Sequence, residues 1–309
     1  MAIILSAYDS EPPPSSGPTE ADFKFLPAAP PLDRFAEFLY YSRVSPTFTA
    51  GVDAMRAPEI EGQVVFVIEQ GMLFPGGKWL ADGYRASLFL QPAHLQVIPI
   101  PGTIRQAVGV ALRPAGLTML LPRGGADLGD APLIPLEDLW GAEGRVLLNR
   151  LIDEPTPQSR LAVLEQCLSE RARHSPPLNA TAAHLARLIS ATHGELSTAA
   201  LAEACGCTTR TLRNATLAAA GVSPKHLARI VRIRRALDLL AQAGISPRDA
   251  AASTAFSDQA HMSREFRELV GVPPARLGSQ LRSQPLPSFS TERNLIDTGL
   301  LMLPKIDAH

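Results

Sequence analysis

The sequence predicts an α+β chain of two domains: a β-rich N-terminal domain of barrel or sandwich type with flanking helices, then an all-α domain. Three observations predict it. At 309 residues the chain exceeds the usual single domain. Up to about residue 121 it is written in short β-branched or alternating runs broken by Gly and Pro. From Ala180 onward it is written in Ala-rich stretches bounded by helix-capping residues.

Taken in order, residues 1–31 hold Pro, Ser and Gly clusters (EPPPSSGP, PAAPP) and read as a poorly ordered lead-in. Its apolar start, Met1–Ser6, is too short for a secretory segment and lacks a basic flank. Residues 32–174 form the β-rich domain. Gln63–Glu69, Arg85–Gln91 and Ile104–Leu112 read as strands, separated by FPGGK and PIPG turns. Two helices close this domain, Leu136–Leu151 and Gln158–Arg173, the second with Leu161, Leu164 and Leu168 along one stripe. Residues 175–180 are the linker and residues 181–284 the helical domain. Within it Ser197, Thr208, Ser223 and Ser246 stand where N-caps belong, and Pro224 and Pro247 follow two of them at the first helical position. Residues 285–309 form a tail with an apolar GLLMLP patch and no assigned role.

Net charge is only −1, but its distribution is uneven. Residues 1–174 carry 14 basic against 20 acidic groups, while residues 175–284 carry 13 against 7. A basic segment joined to an acidic one suggests a polyanion-facing part attached to a part with another task. Cys167, Cys205 and Cys207 make no CxxC pair and read as small apolar residues of a reducing compartment. No run reaches the ~18 apolar residues of a membrane span, so a cytoplasmic protein without membrane contact is expected. The strand region offers one histidine, His94, and no HxH, too few ligands for a metal centre, so neither metal nor cofactor is expected.

The helical domain repeats itself. Gly221-Val-Ser-Pro224 recurs as Gly271-Val-Pro-Pro274, and upstream of each lies a helix, a tight turn and a second helix. In the first copy Ala202-x-x-x-Gly206 leads to Thr208–Ala219; in the second Ala251-x-x-x-Ala255 leads to Ser257–Val270. Between the copies Pro224–Leu240 reads as one long helix, with Leu227, Ile230, Val231, Leu237 and Leu240 on its buried side and Lys225, Arg229 and Arg232 as a basic stripe.

PKHLARIVRIRRALDLL, followed by AFSDQAHMSREFRELVGVPPARL, resembles the DNA-binding domain of AraC/XylS-type bacterial transcription regulators over roughly residues 178–283. The resemblance implies two helix-turn-helix subdomains joined by a central helix, reading successive major grooves from one side of double-stranded DNA. The N-terminal region, through PEIEGQVVFVIEQG and VGVALRPAGLTMLL, is similar to the partly cupin-like sensor domains of some members. Carried over by position, the resemblance implies base contacts from Arg210, Arg213 and Asn214 on the first reading helix and from Gln259, His261 and Arg264 on the second. The chemistry suits them, since Arg bridges guanine O6 and N7, and Asn or Gln bridges adenine N6 and N7. His261 has a second reading as a packed histidine. Thr208 and Ser257 at helix starts, with Lys225, would hold phosphates. The sequence departs from the family pattern where Thr216 replaces a buried aromatic, Asn214 a basic residue, Ala255 a frequent Gly and Met262 a Phe. The Thr216 change should loosen the first motif by about 1–3 kcal/mol unless neighbours fill the space. Any left-handed backbone at Ala255 would carry ~1 kcal/mol of strain.

The function expected is therefore sequence-specific DNA binding, not enzymatic catalysis, under control of a small-molecule effector or partner at the N-terminal domain. Phe66, Trp79, Tyr84, Phe89 and Arg113 are candidate pocket liners that serve equally as core, so no effector is identified. Two rivals stand beside it: a repair-type enzyme that uses the helical domain for targeting, and a scaffold without DNA contact. Cys167 within a leucine-striped helix supplies no alkyl-transfer chemistry for the first. Two unlike readers on one chain imply an asymmetric site spanning two successive major grooves. A homodimer through the 158–173 stripe is expected only if that stripe is not consumed by its own domain.

Overall fold

The computed structural model describes residues 21–44, 52–56, 62–69, 86–90, 98–101, 106–121, 133–242, 244–283 and 300–304. In the N-terminal half the strands are β1 Ala21–Pro27, β2 Ala36–Val44, β3 Val52–Arg56, β4 Gln63–Glu69, β5 Ala86–Leu90, β6 Ile98–Pro101, β7 Gln106–Leu112 and β8 Leu133–Pro135. A last strand, β9 Leu300–Pro304, follows the helical domain. Six of them make an antiparallel sheet in the order β1-β2-β7-β4-β5-β8, and β6-β3-β9 make a second, three-stranded sheet. The outer strands of the large sheet, β1 and β8, do not pair with each other among the described residues. Part of the lead-in is thus structured: residues 21–27 pair along their whole length with residues 38–44 of β2. The apolar patch of the tail likewise finds a partner, Leu300–Pro304 lying antiparallel to Val52–Arg56.

The runs Gln63–Glu69 and Gln106–Leu112 are central strands, and their near-continuous apolar character follows from burial on both faces. Tyr40 lies against Gly109, where an added Cβ would fall 2.4 Å from its ring, and its hydroxyl donates to Gln63 Oε1 at 3.1 Å. Three helices back the sheet: α1 Leu136–Trp140, α2 Ala142–Asp153 and α3 Pro157–His174. The stretch expected as one helix from Leu136 breaks at Gly141, whose φ of +59° no chiral residue adopts cheaply. Leu161, Leu164 and Leu168 of α3 are buried in the same core as Val64, Phe66, Val108 and Val110. That stripe is used up within its own domain, so it does not offer the dimer seam considered from sequence. Phe66 is fully buried core, Arg113 Nε donates to the Asp33 carbonyl at 2.8 Å, and Trp79, Tyr84 and His94 lie outside the described residues, as does the Phe89 side chain.

The helical domain holds α4 Ala180–Ala191, α5 Thr198–Ala204, α6 Thr209–Ala220, α7 Pro224–Ala241, α8 Pro247–Ala252, α9 Gln259–Leu269 and α10 Pro274–Ser283. It has two cores. Leu185, Ile189, Leu201, Leu212, Leu227 and Ile230 fill the first. Ile233, Leu237, Leu240, Phe256, Met262, Phe266 and Leu277 fill the second. Helix α7 runs through both, its first half in one core and its second half in the other. No helix among the described residues is long and apolar enough to cross a membrane.

Among the described residues the two halves of the chain meet at a small apolar seam, while the last helix also touches β9 of the second sheet. A 3₁₀ turn, Gly116–Met119, packs tightly on the loop before β2, since a Cβ on Gly116 would sit 1.9 Å from the Phe35 carbonyl oxygen. Just ahead of it, buried Ala115 clusters with Ala182 of α4 and with Ala215 and Ala219 of α6. Four methyl groups with no polar partner let the two backbones approach closely.

Candidate nucleic-acid interface

Local chemistry sets each reading helix. Thr208 has extended backbone and its hydroxyl accepts the Thr211 N–H at 3.1 Å, which starts α6 at Thr209. The preceding turn passes through Gly206 at φ +62° and is closed by the Cys207 N–H to the Ala202 carbonyl. Ser197, Ser223 and Ser246 cap α5, α7 and α8 in the same way, and the Ser246 N–H donates in return to the Asp249 carboxylate. The second turn is built differently. Ala255 keeps negative φ, so the strain considered for it does not arise, and Thr254 folds its hydroxyl back onto the Ala250 carbonyl at 2.7 Å.

Helix α9 begins later than the sequence suggests. Its N-cap is Asp258, which accepts the His261 N–H at 2.6 Å, and Ser257 stands outside the helix with its hydroxyl 3.1 Å from His261 Nδ1. This corrects the expectation that Ser257 opens the helix. The hydrogen bond from the His261 amide holds the Asp258 carboxyl below the ordinary aspartate range, with Arg264 adding to the effect. A carboxylate therefore already occupies the positive end of α9, where a phosphate would otherwise dock. At α6 the cap is a neutral hydroxyl, which leaves that end open to an anion.

Burial sorts the faces. Leu212, Ala215, Thr216, Ala219 and Ala220 of α6 are buried, while Arg210, Arg213, Asn214 and Leu217 are exposed. The exposed four recur at i, i+3, i+4 and i+7, which is one face of a helix. Leu217 was not foreseen as a reader. It is 41% exposed on the same stripe as two arginines, a placement that suits contact with a thymine methyl. Thr216 is fully buried, and its hydroxyl donates to the Leu212 carbonyl at 2.6 Å, so this hydroxyl is not stranded in the first core. On α9, Met262, Phe266 and Leu269 are buried and Gln259, Arg264 and Arg267 are exposed. Arg267, three residues beyond Arg264, is a second unforeseen member of that face. His261 is half-buried, edge-on to the Phe256 ring at 5.5 Å and 3.7 Å from the Glu265 carboxylate. The structure thus gives His261 packing partners as well as its position near the helix start.

The expected basic stripe of α7 divides. Lys225 is exposed in the first turn, beside the Ser223 cap. Arg229 and Arg232 turn inward: Arg229 pairs with Glu265 at 2.6 Å and Glu268 at 2.7 Å, and Arg232 Nη1 donates to the Gly194 carbonyl at 2.9 Å.

Residues 201–280, from α5 into α10, match the family model described as a helix-turn-helix domain. No curated protein sequence matches the chain. Among solved structures, a transcriptional regulator with an AraC-type DNA-binding domain from Chromobacterium violaceum is 27% identical, over 34% of this chain and 94% of that one, with a TM-score of 0.32. A DNA-binding transcriptional dual regulator from Escherichia coli K-12 is 19% identical, over 36% and 99%, with a TM-score of 0.32. ToxT from Vibrio cholerae is 10% identical, over 84% of this chain and 97% of that one, with a TM-score of 0.43. Residues 201–280 of this chain are a helix-turn-helix domain.

Proposed function

We propose that this chain is a sequence-specific, double-stranded-DNA-binding transcription regulator, with residues 181–284 as reader and the β-rich domain, from β1 through α3, as its regulatory part. The observation that supports it most is the solvent-facing set Arg210, Arg213 and Asn214 on α6, with Gln259 and Arg264 on α9. These side chains stand on helices whose opposite faces are locked in two separate cores, so the donors are presented on stiff supports. We assign base contacts to them, to His261 through its remaining exposure, and to the additional Leu217 and Arg267. Thr208 holds a phosphate at the open end of α6, and Lys225 holds one from the first turn of α7. Ser257 is the weakest member of the set because the Asp258 carboxylate lies next to it.

Each reader takes one short element, and the two elements lie about one helical turn (~10 bp) apart in adjacent major grooves. A binder of chromosomal DNA in a bacterial cell works in the cytoplasm, and the assignment is to binding rather than to catalysis. A small molecule or partner protein acting on the β-rich domain reaches the first reader through the Ala115 seam, which backs α6 on the side away from its exposed stripe. The test is selection of bound duplexes from random DNA by the full-length chain, with and without candidate metabolites. The expected result is an asymmetric two-part site; equal retention of all sequences would refute the reading.

A further inference from the structure

The junction between the two motifs is held by charge, in a place where each core grips only its own half of α7. Leu227, Ala228 and Ile230 belong to the first core and Ile233, Ala236 and Leu237 to the second. A single helix shared in this way still permits one subdomain to rock against the other. Contacts that cross between them decide the angle.

Arg232 sits at the crossing. Behind it, Nη1 donates to the carbonyl of Gly194 in the α4–α5 turn of the first motif. Ahead of it, the guanidinium lies 5.9 Å from the Phe256 ring centroid, in the turn of the second motif. The α4–α5 turn is pressed onto α7 at this point: Gly194 has φ +72°, and a Cβ there would lie 2.3 Å from the Ala228 carbonyl oxygen and 3.2 Å from Arg232 Cγ. One turn earlier, Arg229 leaves the first-core half of α7 and forks to Glu265 and Glu268 on α9. Arg229 and Glu265 side chains are each 15% exposed. The second reader is therefore tied directly to the helix segment that the first motif holds.

Arg232 is an expensive choice for mere cohesion. Its Nε is buried without a hydrogen-bond partner among the described residues, and burial pulls the guanidinium pKa down, with Glu265 opposing and Arg229 adding to the fall. A charge partly withdrawn from water and incompletely paired adds little stability, and the best-attested use of such groups is to specify one arrangement over close alternatives. The planar fork also matters, since it reaches a carbonyl on one side and a ring on the other in one fixed geometry, whereas an ammonium is a compact point charge on a flexible stem.

We infer that Arg232, seconded by Arg229, is the positioning residue that fixes how the two reading helices stand relative to each other, and so sets the single element spacing the protein accepts. This rests on the two-reader assignment proposed above. The test uses full-length wild-type chain and Arg232→Met, on duplexes carrying the two selected elements at spacings stepped by one base pair. Wild type should show one sharp affinity maximum, falling about tenfold within two base pairs, because spacing is a geometric property of the pair. Arg232→Met should keep both element preferences and flatten that maximum to about threefold or less. A folded Arg232→Met, judged by wild-type-like cooperative melting, that keeps the sharp maximum overturns the inference. If Arg232→Met does not fold, Arg232→Lys, which keeps charge and stem, carries the same test: a broadened maximum supports the inference and an unchanged one overturns it. Wild type that selects two elements but ignores their spacing overturns the inference alone. Wild type that selects no sequence overturns the two-reader assignment itself.

Discussion

At the scale of the single residue, Arg264 tests the proposed reading most sharply. It is exposed on α9, three residues from Arg267, on a helix anchored by buried Met262 and Phe266. An arginine so supported discriminates guanine through two parallel donors, and loses that ability when truncated. Arg264→Ala should therefore cost about 1–3 kcal/mol on the selected site and relax preference at one base position, as measured by competition among single-base variants of the site. An equal loss on every sequence would make it a phosphate contact instead. The exposure of Arg210, Arg213, Asn214, Gln259 and Arg264 on their helices was legible by position, whereas that of Leu217 and Arg267 on the same faces was not. Leu217 carries no donor or acceptor; only burial reveals that, apolar and 41% exposed, it shares the arginine stripe. The inward turn of Arg229 and Arg232 was missed for a related reason. Sequence places them on a helix face, but their partners Glu265, Glu268 and Gly194 lie 36 to 39 residues away or across a turn, beyond any local rule.

At the scale of the element, helix starts were the most legible feature. Ser197, Thr208, Ser223 and Ser246 all cap, because capping is decided within three residues. The exception is α9, where Asp258 takes the role given to Ser257. Its pH dependence follows from the sign of its shift. The folded pKa lies below the unfolded one, near 3.9, so the cap stabilises α9 fully above the unfolded value. That contribution fades as pH falls and is gone below the folded pKa. Carboxyl carbon shifts followed by NMR should give Asp258 a midpoint below the ordinary aspartate range, and a midpoint at or above it would contradict the cap. Strands were less legible. Central β4 and the β7 run carry their own apolar signal, whereas β1, within a Pro-rich lead-in, exists through its neighbour β2, and β9, in the tail, through β3 far back along the chain.

For the whole molecule, the two-domain plan followed from composition, but the seam between domains did not, because an alanine carries no sign of what it touches. Ala115 lies between the Phe35 loop and the back of α6, at the start of the 3₁₀ turn. Ala115→Asp suits that turn start locally and buries a charge against Ala182, Ala215 and Ala219, so it should open the seam while leaving each domain folded. Hydrogen exchange should then quicken across residues 180–220 and stay unchanged across residues 247–277; uniform change, or none, would remove the seam from any signalling route. The central claim is that α6 and α9 enter neighbouring major grooves of one duplex. Guanine N7 methylation interference on the selected site tests it most directly, because N7 faces the major groove alone. Two patches of interference about one helical turn (~10 bp) apart on one side of the duplex are predicted. Interference confined to a single patch, or absent from both, would contradict the claim.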